Sequence, residues 1–151
     1  METVCHIKTF DALTKNELYR LLQLRSAVFV VEQDCVYQDI DGKDQKALHL
    51  LCFHGEQLVG YTRIFRPGDY FQHASIGRVV VRETARKHGL GKVIMLRSIE
   101  FIEQELKEKD IELSAQTYLK RFYKSLGFEA VGEDYLEDGI PHVKMVYQSK
   151  S

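Results

Sequence analysis

The sequence predicts an α/β fold: one mixed β-sheet with helices on both faces, in a single domain over residues 1–151. Three observations predict it. Strand-like and helix-like apolar spacing alternate along the whole chain, in the order β, α, β, β, β, α, β, α, β, β. A length of 151 residues with 44% apolar content suits one core. An apolar run at 76–81 passes through a glycine-bearing loop into a long amphipathic helix.

Each element has its own warrant. Val4–Thr9 forms a first strand. In Thr14-Lys15-Asn16-Glu17, Thr14 stands at the N-cap and Glu17 at N3, so each side chain can satisfy the other's backbone N–H. The helix so opened carries Leu18, Leu21, Leu22, Arg25, Val28 and Phe29 on one side and meets no glycine stop near residues 30–32. Residues 33–46 are polar and acidic (Asp34, Asp39, Asp41, Asp44) and read as an irregular loop of the kind that often carries function. Leu48–His54 and residues 57–66 flank Gly55 as a hairpin, ended by Pro67-Gly68-Asp69. Residues 76–81, with Arg78 inside, read as a strand buried on both faces. Met95, Ile99, Ile102 and Leu106 line a helix from 91 to about 108. Residues 111–115 form a short strand and 118–126 a short helix stopped by Gly127 at C′. Residues 129–136 and Ile140–Gln148 close the chain around Asp138-Gly139.

Several function classes are excluded by composition. A net charge of −1 gives no polybasic footprint for nucleic acid. No apolar run approaches the roughly 20 residues needed to span a membrane, and no signal peptide precedes the first strand, so a cytoplasmic protein is expected. Cys5, Cys35 and Cys52 are odd in number, widely spaced and in no CxxC pattern, which predicts reduced thiols and no metal site. Asp39-Ile40-Asp41-Gly42-Lys43-Asp44 is no calcium loop: Gly42 falls at position 4, where an EF-hand needs glycine at 6.

The chemistry concentrates in Ile76-Gly77-Arg78-Val79-Val80-Val81 and the following Arg86-Lys87-His88-Gly89-Leu90-Gly91-Lys92. A helix start exposes free N–H groups and the positive end of its dipole, which suits an anion. Gly89 and Gly91 let the backbone approach a phosphate, and Arg86, Lys87, His88 and Lys92 add charge. A Walker A loop would continue Gly-Lys with Ser or Thr, but Val93 follows Lys92; a dinucleotide fingerprint would need a third glycine.

The remaining pattern, Arg-x-x-Gly-x-Gly at a strand-to-helix junction, resembles motif A of the GNAT superfamily of N-acetyltransferases. Gln116-Thr117-Tyr118-Leu119-Lys120-Arg121-Phe122-Tyr123-Lys124-Ser125-Leu126-Gly127-Phe128 looks like motif B of the same superfamily. The segment from Leu24 to Cys35, Tyr37 to Asp41, His49, and Glu137-Asp138-Gly139-Ile140-Pro141-His142 resemble the ElaA-like branch, so the likeness runs from about Leu21 to Met145. The resemblance implies a bacterial, cytoplasmic enzyme whose two central parallel strands splay to admit pantetheine. It also implies that amides of Arg86, Lys87, His88, Gly89, Leu90, Gly91 and Lys92 hold the pyrophosphate of acetyl-CoA. Main-chain groups of Val79, Val80 and Val81 would meet the acetyl and pantetheine portion, with Gln116 alongside, where many members carry asparagine.

Acetyl transfer to an amine needs a base, because an alkylammonium of pKa about 10 is no nucleophile at neutral pH. It also needs a donor toward the carbonyl oxygen and an acid for the thiolate. The resemblance places Tyr123 as the acid. Glu32 and His49 are the candidate bases, with His142 a further one. The alternative for the acids is structural: Glu32 and Asp41 would pair with Arg25, Arg63 or Arg78, and Arg78 in its apolar strand calls for a carboxylate partner. No Ser-His or Cys-His pairing stands out, so direct attack is expected. The acceptor is a small-molecule or peptide amine, which the acidic loop would attract if cationic. A noncatalytic acyl-CoA sensor, transfer of a longer acyl group and a homodimer all stay open.

Overall fold

The computed structural model describes residues 1–149. In chain order the elements are β1 (Val4–Thr9), α1 (Lys15–Arg25), β2 (Leu48–His54), β3 (Gln57–Phe65), β4 (Ala74–Val81), α2 (Leu90–Gln104), β5 (Asp110–Gln116), α3 (Lys120–Ser125), β6 (Glu129–Glu137) and β7 (Ile140–Gln148). The strands form one sheet in the order β1-β2-β3-β4-β5-β7-β6, with β4 and β5 parallel and the other neighbours antiparallel.

Because side chains alternate across a strand, the register divides the sheet into two unlike faces. Ile64, Ala74, Ile76, Ile111, Leu113, Ala115, Val143 and Met145 fall on one face, where Met95, Ile99 and Ile102 of α2 and Tyr123 of α3 complete the main core. On the other face Leu51, Tyr61 and Val80 pack against Leu21, Leu24 and Val28. Farther along that second face the register brings Ser75, Glu112, Ser114, Gln116, Lys144 and His142 side by side.

The parallel pair is very short. β4 and β5 meet only where Ala74 faces Ile111 and Ser75 faces Glu112. The cause lies in β4 itself: Arg78 has φ 48, and the register with β3 passes from Gly77 opposite Arg63 to Val80 opposite Tyr61. Arg78 and Val79 therefore stand against Thr62 alone, a bulge that bends and twists the strand away from β5. The expectation of a strand buried on both faces is corrected accordingly. Ala74, Ser75 and Ile76 are buried, whereas Gly77, Arg78 and Val79 are half-buried beside the opening.

Local signals set three boundaries. The capping box forms, with Glu17 N–H donating to Thr14 Oγ1 at 3.0 Å and Thr14 N–H to Glu17 Oε1 at 2.8 Å. The helix it opens does not continue uniformly, since Ser26–Glu32 widens into a π-helical stretch that brings Phe29 and the following Gln33 to the cavity described below. After α3, Phe128 N–H donates to Tyr123 O at 3.1 Å and Gly127 N–H to Lys124 O at 3.0 Å, with Gly127 at φ 101. That is a Schellman stop, and it fixes the helix that carries Tyr123. α2 ends at Gln104, short of the expected 108, because Lys107 turns left-handed at φ 58. No helix among the described residues is long and apolar enough to cross a membrane.

Candidate active site

Where β4 and β5 part, a cavity of about 120 Å³ opens, lined mainly from the second face of the sheet and reaching through the gap to Tyr123. Its lining brings together distant parts of the chain: Phe29 and Gln33 after α1, Cys35 and Tyr37 in the acidic loop, Arg78 and Val79 of β4, Gln116 of β5, Tyr123 of α3, and Glu137, Asp138 and His142 around the last turn.

The acidic loop is held by three arginines from three elements. Fully buried Arg25 donates from Nε to Asp39 Oδ2 at 2.8 Å and from Nη1 to Asp44 Oδ1 at 2.7 Å. Arg63 donates to both carboxylate oxygens of Asp41 at 2.9 Å and to Asp44 Oδ1 at 2.9 Å. Arg78 donates from Nε to Asp39 Oδ1 at 2.8 Å. Three positive and three negative charges balance, as a buried cluster requires. The pairing expected for Asp41 and Arg78 is observed. Asp39, Asp41 and Asp44 are thereby committed to arginines, whereas Asp34 in the same loop is exposed.

The loop before α2 leaves the first N–H groups of the helix open. Gly89, at φ 71, is the N-cap, and Lys87 is also left-handed at φ 71. The first N–H to turn back into the helix is that of Val93, bonded to Gly89 O at 3.2 Å, so those of Leu90, Gly91 and Lys92 have no intrahelical acceptor. A Cβ added at Gly91 would lie 3.5 Å from the Phe122 ring, so this glycine draws α2 onto α3. The side chains of Lys87, His88 and Lys92 are exposed around the loop. Arg86 departs from expectation. Its N–H bonds Glu83 O at 3.3 Å, and its guanidinium holds Glu32 at 2.5 and 2.9 Å and Val81 O at 3.1 Å. Its side chain and its N–H therefore serve to build the loop.

The two expected bases are placed elsewhere. His49 is fully buried, with Nδ1 2.6 Å from Tyr61 Oη and Nε2 2.9 Å from Asp44 O; burial lowers its pKa, and it does not line the cavity. With both nitrogens engaged in the core, it is corrected to a structural residue. Glu32 is clamped by Arg86, whose hydrogen bonds hold the carboxyl below its usual range, making it a poor proton acceptor. It pairs with Arg86 and not with Arg25, Arg63 or Arg78.

Tyr123 and Gln116 both line the cavity. Tyr123 is 5% exposed, and its ring packs edge-on against Phe122 and Phe128 at 5.2 and 6.1 Å. Burial raises its phenol pKa, so it stays protonated at neutral pH. Among the described residues its hydroxyl has no hydrogen-bond partner. Gln116 and Gln33 face each other across the cavity wall at 3.3 and 3.4 Å. Val79 lines the opening, while the Val80 side chain is buried under α1. Among the described residues no group of three or more His, Cys, Asp or Glu is arranged to hold a metal.

Sequence reasoning did not name Ser114, Tyr70 and Phe71 as parts of this wall, and it quoted Glu137 only within the segment that carries the resemblance. Ser114 and Glu137 come together because the sheet order places β7 between β5 and β6, and Tyr70 and Phe71 arrive from the connection between β3 and β4.

Comparison with known proteins places the chain in a family. Residues 12–149 match the family described as an acetyltransferase (GNAT) domain. The chain is 45% identical over 135 residues to protein ElaA of Escherichia coli, covering 88% of each. The crystal structure of that protein superposes with a TM-score of 0.91 over 97% of this chain and 100% of the other. An acyl-CoA N-acyltransferase from Pseudomonas aeruginosa superposes with a TM-score of 0.92 at 42% identity, over 97% of this chain and 99% of that one. A UPF0039 protein of Schizosaccharomyces pombe is 43% identical over 140 residues, covering 91% of this chain and 92% of its own, so relatives this near are not confined to bacteria. The chain belongs to the GNAT acetyltransferase family, in its ElaA-like branch.

Proposed function

We propose that this chain is a cytoplasmic N-acetyltransferase that moves an acetyl group from acetyl-CoA to a primary amine by direct attack, with both substrates bound together. One observation carries the reading: the parted pair of parallel strands opens onto Tyr123, a buried phenol whose hydroxyl has no hydrogen-bond partner among the described residues, and β4 leads on to a helix start with open N–H groups. The amides of Leu90, Gly91 and Lys92 suit a pyrophosphate, with Lys87 and Lys92 adding charge. Val79 to Val81 have lost β5 as a partner, so, apart from the Val81 carbonyl held by Arg86, main-chain groups on that edge are available to a pantetheine arm and to the oxygen of an acyl group. A bound thioester supplies an activated carbonyl there. The Tyr123 hydroxyl, kept protonated by burial, gives its proton to the departing sulfur. Gln116 and Gln33 mark the side from which an amine would approach.

Calorimetric titration with acetyl-CoA, followed by a free-thiol assay against a panel of amines, tests the proposal. Wild-type protein should bind and release thiol only when amine is present. Gly91→Leu, which pushes a side chain toward Phe122 and the loop mouth, should bind at least about tenfold more weakly, a loss of about 1.4 kcal/mol. Binding without thiol release from any amine would make the chain a sensor on the same fold, and absence of binding would refute the loop assignment.

A further inference from the structure

Building on the acyltransfer reading, we infer that the acceptor is a primary amine on an apolar, ring-sized body. Its ammonium is held at Glu137, and His142 Nε2 is the base that deprotonates it. The register places Gln116 of β5, His142 of β7 and Tyr135 of β6 in one row across the second face of the sheet. His142 is buried at 6% exposure and lines the cavity. Its Nδ1 lies 2.7 Å from Ile140 O; a carbonyl only accepts, so Nδ1 carries the hydrogen and Nε2 presents a lone pair. Nε2 is 3.5 Å from Glu137 Oε2, and the ring stacks on Tyr135 at 6.2 Å with an interplanar angle of 22°. A base oriented through one nitrogen, with a carboxylate ready to stabilise its cation, is the arrangement proton abstraction needs.

The charge of the wall points to the same end of the cavity. Asp39, Asp41 and Asp44 are balanced by arginines, as shown above, and Asp34 does not line the cavity. Glu137 keeps a side chain 45% exposed, and its contacts are His142 and the Ser114 hydroxyl at 3.3 Å. With the adjacent Asp138 it supplies the cavity's uncommitted negative charge. Elsewhere the wall carries five aromatic rings, Phe29, Tyr37, Phe65, Tyr70 and Phe71, with Phe65 and Tyr70 stacked at 4.9 Å, beside the carboxylate-paired Arg63 and Arg78. One anionic end and a ring-lined body fit a single ammonium on an apolar group. A polyamine would need further free carboxylates along the wall.

The step balances. Nε2 takes one proton from the ammonium, and the freed lone pair forms the C–N bond as the C–S bond breaks. The sulfur takes the Tyr123 proton, and the second proton of the nitrogen returns to the phenol. His142 then passes its proton to water, so that ammonium and thioester become amide, thiol and one proton.

The test measures thiol release with benzylamine and with spermidine, alongside acetyl-CoA affinity by calorimetry. Benzylamine should show kcat/KM at least about tenfold above spermidine. His142→Asn keeps a side-chain N–H for the Ile140 carbonyl but has no base. It should lose about 100-fold in kcat with acetyl-CoA affinity intact, and added imidazole should recover part of the loss after His142→Ala. Glu137→Gln should raise KM for the amine about tenfold with a smaller change in kcat. Turnover within twofold of wild type in His142→Asn, or preference for spermidine, overturns this inference alone. Absence of thiol release from every amine in the wild type overturns the acyltransfer reading and this inference with it.

Discussion

Replacing Arg25 by methionine tests how the acidic loop is held. Arg25 is fully buried and bonds Asp39 and Asp44. Methionine fills most of the volume but leaves two arginines against three aspartates. Removing one partner of a buried ion pair costs about 3–5 kcal/mol. The lower end applies here, because Asp39 keeps Arg78 and Tyr37 while Asp44 keeps Arg63. A loss of about 3 kcal/mol corresponds to a fall in Tm of roughly 6–12 °C for a domain of this size. Urea unfolding followed by far-ultraviolet circular dichroism, read at equal m-value, measures the loss. Adding Asp44→Asn restores the balance at two charges of each sign and should return at least about 1 kcal/mol through coupling between the sites. A single variant within 1 kcal/mol of wild type, or strict additivity of the pair, would refute the charge-balance account.

Tyr123→Phe should lower kcat for thiol release by about 10²–10⁴ with little change in acetyl-CoA affinity or Tm, since the lost hydroxyl has no partner among the described residues. Equal turnover would reduce Tyr123 to packing. Gly127→Ala should destabilise by about 1–3 kcal/mol, because φ is 101 and the new Cβ would meet the Tyr147 ring at 3.2 Å. An unchanged melting curve would refute the Schellman assignment. The pH dependence of Tm should show two acid limbs. Burial, together with Arg25 and Arg63, depresses the pKa of His49. The unfolded chain therefore gains a proton that the folded chain refuses, and stability falls as pH drops below about 6.5. Burial alone would raise the pKa of Asp41, but the Arg63 bonds outweigh it and hold it at about 2, so its contribution is present above 3.8 and is lost as pH falls toward 2. His49→Gln should remove the first limb and spare the second; persistence of both limbs would refute the assignment.

Much of this protein was determined by local sequence. The capping box at Thr14, the stop at Gly127 and the alternation of Leu48–His54 act within a few residues, so their outcome is decided by chemistry that is contiguous in the chain. The glycine-bearing turn into α2 was legible for the same reason, since Gly89 at the N-cap acts on the backbone next to it. Other features were decided only by tertiary structure. Cys5 and Cys52, far apart in the chain, face each other across β1 and β2 with their sulfurs 2.8 Å apart. His49 reads like a catalytic histidine until its strand places it opposite Arg63 in the core. His142 and Glu137 reach the cavity because β7 is inserted between β5 and β6. The parting of β4 from β5 depends on a bulge at Arg78, whose guanidinium is held by a carboxylate 39 residues away. Pairing across such distances depends on strand order and register, which a one-dimensional pattern of apolar and polar residues does not encode.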